Sequence, residues 1–432
     1  MKLFFLLFAA KRYWSDAEEL QRVFSEFRES RSDIASRFVL SLDGADTDDL
    51  AIAEDELPVL VPLSGAVQPH ILRVATQCSA ARPQMPRSAL LYAAYVKGNL
   101  STWASDLLLL KNAAPTTMDV WGVLHHSDPR ISLILSDEAL RKEGDLFAAY
   151  LKFRQNRLIL VGETEPWVVS ASRTMSDYES LGLEIISVSQ EEVRDLYINS
   201  TDEDGAPYAA QFINGAEAIK EPTNRDILNA GVMTHALLSI INKYDTDGMA
   251  IACFNLLGVG TTACLGVSYI NDHTDKIAAC EGDLDSAVSM LIMKLFTKTK
   301  VWMANPALHP DGTVNFSHCT APICVTGEKA QRYTLRNHHE SGIGASLEVS
   351  MPVQHPVTAF RISGVHKKAT IHSGISIEGD REPCCHTQMH VRFQNPESYI
   401  QTALGCHQVF CFEDIAEPLR AFCKLLHIQI EE

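Results

Sequence analysis

Ala279-Cys280-Glu281-Gly282-Asp283-Leu284-Asp285-Ser286-Ala287 joins a short apolar run, Lys276 to Cys280, to a helical pattern carried by Val288, Leu291, Ile292, Leu295 and Phe296. A strand that delivers a carboxylate to its C-terminal end, a glycine, and a helix opened by aspartates together make a common site geometry on an α/β sheet. Glu281 is therefore the first candidate for chemistry, with Asp283 beside it.

Working outward, the segments before this stretch keep the same rhythm. Arg157 to Gly162, Leu183 to Val188 and Met249 to Leu256 read as strands, while Asn224 to Tyr244 and Thr261 to Tyr269 read as helices. Further upstream, Phe4 to Ala9, Phe38 to Leu42, Val59 to Pro62, Ala89 to Val96 and Asp119 to His125 read as strands. Between them Asp16 to Arg28, Pro69 to Gln77, Ser101 to Leu110 and Asp137 to Arg154 read as helices. Alternation of this kind predicts α/β units with parallel, doubly wound sheets. Downstream, Val301 to Ala304 reads as one more strand of the second unit. From about Val325 helical periodicity stops, and short alternating runs at Thr358 to Ile362, Ala369 to Ile375 and Met389 to Phe393 predict an antiparallel barrel or sandwich. Glu413 to Leu426 closes the chain as a helix. The expected domains are 1–156 and 157–324, both α/β, and 325–432, antiparallel β.

A chain of 432 residues is too long for one core. Its net charge of −17 argues against nucleic acid and anionic membrane as partners, since both would repel it. No stretch approaches the ~20 apolar residues of a membrane span. Eleven cysteines without framework spacing point to reduced thiols and a cytoplasmic location. The apolar opening, Leu3 to Ala10, is short for a signal sequence; Ser15-Asp16-Ala17-Glu18 reads as a capping box before Leu20, Val23, Phe24 and Phe27 at helical spacing. A first strand feeding a first helix is the expectation.

Four polar clusters lie in the last third: Cys280 to Asp283; Trp302 to Asn305 with Ser317-His318; Arg336-Asn337-His338-His339-Glu340-Ser341-Gly342; and Gly405-Cys406-His407. Taken singly, an acid at a strand end is commonly a helix cap, and a lone histidine is commonly a hydrogen-bonded structural residue. Cys384-Cys385-His386 with His390 has the residue types of a zinc site but lacks a second spaced pair. Taken together, a carboxylate, an amide and two histidines suit a divalent metal such as Mn²⁺, Mg²⁺, Co²⁺ or Zn²⁺.

The order and spacing of Cys280-Glu281-Gly282-Asp283, of Trp302-Met303 with Asn305, of Ser317-His318 and of Gly405-Cys406-His407 resemble the fucose and arabinose isomerase superfamily, in particular its shorter sugar isomerase-like branch. The resemblance implies two Rossmann-like α/β domains followed by an antiparallel β-barrel, and a homo-oligomer, trimer or hexamer. It also implies a metal, Mn²⁺ first, bound by Glu281, Asn305, His318 and His407, with Glu281 and Asn305 at the catalytic positions; Asp283, beside them, is added as a catalytic candidate from the sequence itself. A small sugar would be contacted by His338, His339 and Glu340, and by Ser64 of the Ser64-Gly65-Ala66 loop. The implied reaction is aldose-ketose isomerisation, which moves a proton between neighbouring carbons through an enediol and requires a base, an acid and stabilisation of enediolate charge.

The sequence departs from the family at Asn305, where the isomerases carry a second carboxylate. An amide can ligate a metal through its carbonyl oxygen but cannot accept a proton near neutral pH. Asp283 or Glu340 would then supply the missing base. The alternatives on the same scaffold are an epimerase, a carbon-carbon lyase or a non-catalytic sugar-binding protein.

Overall fold

Leu3 to Ala9 are all buried, which a strand covered by helices on both faces requires. The computed structural model describes residues 2–432 except Asp49 and Glu328. The chain divides into two units, 1–152 and 153–432. The first contains β1 (Lys2–Ala9), α1 (Ala17–Glu29), β2 (Ala35–Leu42), β3 (Glu56–Pro62) and α2 (Gln68–Ala81). It continues with β4 (Ala89–Tyr92), α3 (Thr102–Leu110), α4 (Ala113–Ser127), β5 (Ile131–Ile134) and α5 (Asp137–Arg154), whose last residues pass into the second unit. The five strands form one parallel sheet in the order β2-β1-β3-β4-β5. Phe4, Leu6 and Phe8 pack with Ile71, Val74 and Cys78 of α2. Phe5, of the opposite pleat face, meets the rings of Phe27 and Phe38 at 5.2 Å each.

Three local expectations shift here. The strand expected over Ala89 to Val96 stops at Tyr92. The cap of α1 is Asp16 rather than Ser15, its Oδ1 accepting from the backbone of Glu18 (2.9 Å) and Glu19 (3.2 Å). Asp119 to His125, expected as strand, lies inside α4, because the buried residues Ala113, Thr116, Thr117, Val120 and Leu124 recur at helical spacing while Val123 faces outward. The strand of that crossover is the shorter β5.

The second unit begins with β6 (Arg157–Val161), α6 (Ser176–Glu179), β7 (Glu184–Val188), α7 (Gln190–Asn199), α8 (Asp202–Gly215) and β8 (Ala218–Ile219). It continues with α9 (Asn224–Tyr244), β9 (Gly248–Ile251), a 3₁₀ segment (Cys253–Val259), α10 (Cys264–His273), β10 (Ile277–Cys280) and α11 (Leu284–Lys294). A second parallel sheet has the order β10-β9-β6-β7. The strand expected over Met249 to Leu256 stops at Ile251 and gives way to the 3₁₀ turn.

The remainder is β11 (Trp302–Leu308), β12 (Thr313–His318), β13 (Tyr333–Arg336), β14 (Ser346–Val349), β15 (Pro356–Ser363) and β16 (Lys368–Ile377). After them come β17 (Thr387–Phe393), α12 (Pro396–Gln401), β18 (Gln408–Cys411), α13 (Ala416–Leu425) and β19 (Gln429–Glu431). Six strands pair antiparallel in the order β15-β18-β11-β12-β17-β16, and the β15–β16 pairing closes them into a barrel. Its interior is packed by Trp302, Ala304, Val314, Phe316, Ala359, Val391, Phe393 and Phe410, with the rings of Phe316 and Phe410 4.4 Å apart. A small sheet, β14-β13-β8, lies outside it.

The barrel therefore starts at Trp302, not at 325. The segment 302–318, expected in the second α/β domain, pairs with β17 and β18 of the barrel instead. Every residue from Leu284 to Met293 in α11 is buried, because this helix packs against β9 and β10 and also against β11, β15 and β18. A helix buried on all sides, with its polar Asp285, Ser286 and Ser289 hydrogen-bonded inside, is the sign of such enclosure. No helix among the described residues is long and apolar enough to cross a membrane, and all eleven cysteines are unpaired thiols.

Candidate metal centre

Between β10 and α11 the backbone turns through two successive left-handed residues, Glu281 (φ +59°) and Gly282 (φ +62°). For a glutamate this conformation costs of order 1–3 kcal/mol. It persists because the surroundings fix it: Gly282 N–H donates to the Ile251 carbonyl and Glu165 N–H to the Glu281 carbonyl, both at 2.9 Å. A Cβ on Gly282 would come within 2.8 Å of Thr164 Cα. The turn aims the Glu281 side chain away from the helix that begins two residues later.

Glu281 is 9% exposed. Oε2 accepts from Trp167 Nε1–H at 2.8 Å, and Oε1 lies 3.2 Å from His407 Nε2 and 4.0 Å from His318 Nε2. The other nitrogen of each imidazole is already engaged. His407 Nδ1 meets Asp283 Oδ2 at 2.8 Å, and His318 Nδ1 meets Thr320 Oγ1 at 2.9 Å. Both Nε2 atoms thus face one carboxylate oxygen.

Asp283 is wholly buried and fully used. It caps α11 through Ser286 N (3.0 Å), accepts from Ser286 Oγ (2.9 Å), and pairs with the buried Arg361, whose Nη1 is 3.0 Å from Oδ2. Arg361 Nη1 also donates to the His407 carbonyl at 2.9 Å. Gly405 makes room for this guanidinium, since a Cβ there would stand 2.8 Å from Arg361 Nε. Asp283, expected as a catalytic position, instead orients His407 and closes the helix.

The protonation states follow from these contacts. Burial pushes His318 down to about 4, with His407 adding to the effect, so its ring is neutral, and the tautomer in which Nδ1–H donates to Thr320 Oγ1 leaves the Nε2 lone pair free. Burial also opposes charge on His407, but the bonds to Asp283 and Glu281 prevail and lift it well above its ordinary value. Burial would raise Glu281, yet its bond to His407 and the neighbouring imidazoles hold it below the usual carboxylate range. Asp283 is held far down by Arg361 and His407 against the same burial.

Glu281, His318 and His407 offer one carboxylate oxygen and two imidazole nitrogens, all within 4.8 Å of one another. This donor set fits a divalent transition metal, which would take the place of the proton between His407 and Glu281. The Asp283–His407 contact is the carboxylate–histidine arrangement that orients metal-bound imidazoles.

Asn305 is half-buried on β11 opposite Ser317, and its amide makes no hydrogen bond to any described residue. Met303, on the same pleat face, accepts from Cys280 N through its sulfur at 3.1 Å. Asn305 therefore lies on the side of β11 that faces the end of β10, from which Glu281 emerges.

His338, His339 and Glu340 are in the turn after β13. His338 is buried, its Nδ1 bonded to Ser341 Oγ at 2.9 Å and its ring 5.6 Å from that of Phe254. His339 is exposed and meets the ring of His386 at 5.6 Å. Glu340 keeps part of its surface in solvent, and desolvation of the rest together with the charge of Glu281 pushes its carboxyl above the usual value. Ser64 belongs to the first unit, is fully buried, accepts from Ala10 N (3.0 Å) and donates to the Gly65 carbonyl (3.1 Å). With its hydroxyl enclosed, it does not serve as a substrate contact.

Trp167, Glu165, Phe254, Thr320 and Arg361 were not foreseen. Trp167 (54% exposed) and Phe254 make an edge-to-face pair 5.0 Å apart beside Glu281. Glu165, almost fully buried, accepts from Phe254 N at 3.2 Å. Only Glu165 and Trp167 had a signal, as an acid and an aromatic just past the C-terminal end of β6, where open α/β sheets place their ligands. No family model matches this chain, and no curated protein matches it.

Proposed function

We propose that this chain is a divalent-metal-dependent ketol isomerase acting on a small sugar or sugar derivative through an enediol. The observation that carries this reading is the buried Glu281–His318–His407 cluster, with Asp283 and Arg361 holding His407. It is supported by the motif resemblance, with the two α/β parts read as Rossmann-like. Mn²⁺ is the proposed metal, and a cytoplasmic trimer or hexamer the proposed form.

When bound, a divalent ion supplies stabilisation of the negative charge that develops on the enediolate oxygens. Glu281, His318 and His407 would hold it, and Asn305 offers an amide to a substrate hydroxyl. Trp167 and Phe254 give the apolar face of a sugar an aromatic surface. The proton between neighbouring carbons needs a second titratable group in place of the family's carboxylate. Glu340 fits, because it is pushed up while Glu281 is held down, a divergence that separates acid from base roles.

The amide at position 305 favours a second reading, a sugar-binding protein without turnover. Both are tested by incubating the Mn²⁺-loaded protein with a panel of aldoses in deuterated water and following them by NMR. The isomerase incorporates deuterium next to the new carbonyl, and neither the Glu281→Gln protein nor the chelated one does so. Full turnover in either would sink the proposal. Deuterium with inverted configuration and no ketose identifies an epimerase, whereas a sugar-induced rise in Tm with no conversion identifies the binding protein.

A further inference from the structure

A second group of ligating side chains sits on the barrel: His309 in the β11–β12 turn, Glu382 in the β16–β17 loop and His390 on β17. Their donor atoms lie within 4.8 Å of one another. His309 Nε2 is 2.6 Å from Glu382 Oε1, and the His309 and His390 rings are 5.6 Å apart.

The hydrogen bonds decide which nitrogens are free. The Thr313 hydroxyl donates to the Asp311 carboxylate at 2.7 Å, so towards His309 Nδ1, 3.0 Å away, it can only accept. The proton of a neutral His309 therefore sits on Nδ1, leaving a lone pair on Nε2 directed at a carboxylate oxygen. Two such groups at 2.6 Å repel unless a second proton or a metal cation lies between them. His390 is committed in the complementary sense: Nε2–H donates to the Asp380 carbonyl at 2.9 Å, which frees the Nδ1 lone pair. The ring is 8% exposed and lies against the Gly379 backbone, where a Cβ would stand 2.4 Å from Nδ1.

We propose that His309 Nε2, Glu382 and His390 Nδ1 form a second site for a divalent transition metal, of the Zn²⁺ or Co²⁺ class. Two imidazoles and one carboxylate are the donor set of three-ligand zinc sites, whose fourth position is left to water. Tetrahedral bonds of about 2.0–2.1 Å place donors about 3.3 Å apart, so Glu382 has to withdraw by less than an ångström. Of the Cys384, Cys385, His386 and His390 group that looked zinc-like in sequence, His390 alone joins this cluster.

The site ties loop 378–386 to the β11–β12 turn. That loop also reaches the turn after β13, through His386 Nε2 and Asn337 Oδ1 at 3.3 Å and through the His339–His386 ring contact. An ion here fixes the loop at one end while His386 leans on the other.

The test is titration of the metal-stripped, full-length protein with Co²⁺, followed by calorimetry and by visible absorption of the bound ion. Wild type takes two equivalents. His309→Ala and, separately, the isosteric Glu382→Gln weaken one by about 100-fold or more and leave the other. Glu281→Gln loses the other and keeps this one, so the result does not depend on the isomerase reading. Co²⁺ also protects loop 378–386 from proteolysis in wild type and Glu281→Gln but not in His309→Ala. Equal melting temperatures of all variants in chelator establish that they fold. The same stoichiometry and affinity in wild type, His309→Ala and Glu382→Gln, or no bound ion in Glu281→Gln, overturns the proposal and leaves a His309–Glu382 ion pair.

Discussion

At the scale of single residues the centre depends on a division of labour between two acids two positions apart. Glu281 presents an oxygen to two imidazoles, while Asp283 spends its oxygens on Ser286, Arg361 and His407. Replacing Asp283 by Asn leaves Arg361 with less neutralising charge inside the protein and His407 with a poorer partner. The variant is predicted to lose about 3–5 kcal/mol in urea unfolding and to bind Mn²⁺ about 10–100-fold more weakly by calorimetry. A drop in stability with unchanged Mn²⁺ affinity would show that Asp283 does not orient the ligand. Glu340 gives the contrasting case. Glu340→Gln is predicted to lower kcat by about 10²–10⁴ while Mn²⁺ affinity stays as in wild type; unaltered kcat removes Glu340 from the mechanism.

Among the elements, the elbow between β10 and α11 decides where Glu281 points. Gly282→Ala forces a side chain into a left-handed conformation and against the Thr164 backbone, with an expected cost of roughly 2–4 kcal/mol and weaker Mn²⁺ binding, measured by denaturation and calorimetry. In the first unit, Asp128 ties α2 to the turns before β4 and β5 by accepting from Ser79, Ser88 and Arg130. Burial opposes its charge, yet these bonds hold its carboxyl well below the ordinary value. A carboxyl depressed in the folded state stabilises it above the unfolded value of about 4, and that contribution fades as pH falls. Asp128→Asn is therefore predicted to cost about 2 kcal/mol at pH 7, with the gap from wild type narrowing below about pH 4 in thermal or urea melts.

For the molecule as a whole, a metal that binds only folded protein stabilises it by mass action. Mn²⁺ at 100 times its Kd should add about 2.7 kcal/mol, seen as a higher Tm that chelator reverses and that Glu281→Gln lacks. An identical melt with and without Mn²⁺ in wild type contradicts the centre.

Local pattern in the sequence was enough for the α/β rhythm, for α9 from Asn224 to Tyr244, for the strand–acid–glycine–helix turn at Glu281 and for the antiparallel texture of the last hundred residues. These features are written in periodicity and caps between near neighbours. What neighbours do not encode is the choice of distant partners. Val301 to Ala304 reads as the same short apolar strand in either sheet; β18, about a hundred residues later, makes it part of the barrel. Asp283 reads as a helix-opening acid still available for chemistry until Arg361 and His407 occupy it, and His309, Glu382 and His390 have no common motif until a turn, a loop and a strand meet on the barrel. Sequence alone therefore determined which residues could do chemistry, and tertiary structure decided which lone pairs remain free to do it, because hydrogen-bond partners are assigned by packing rather than by spacing along the chain.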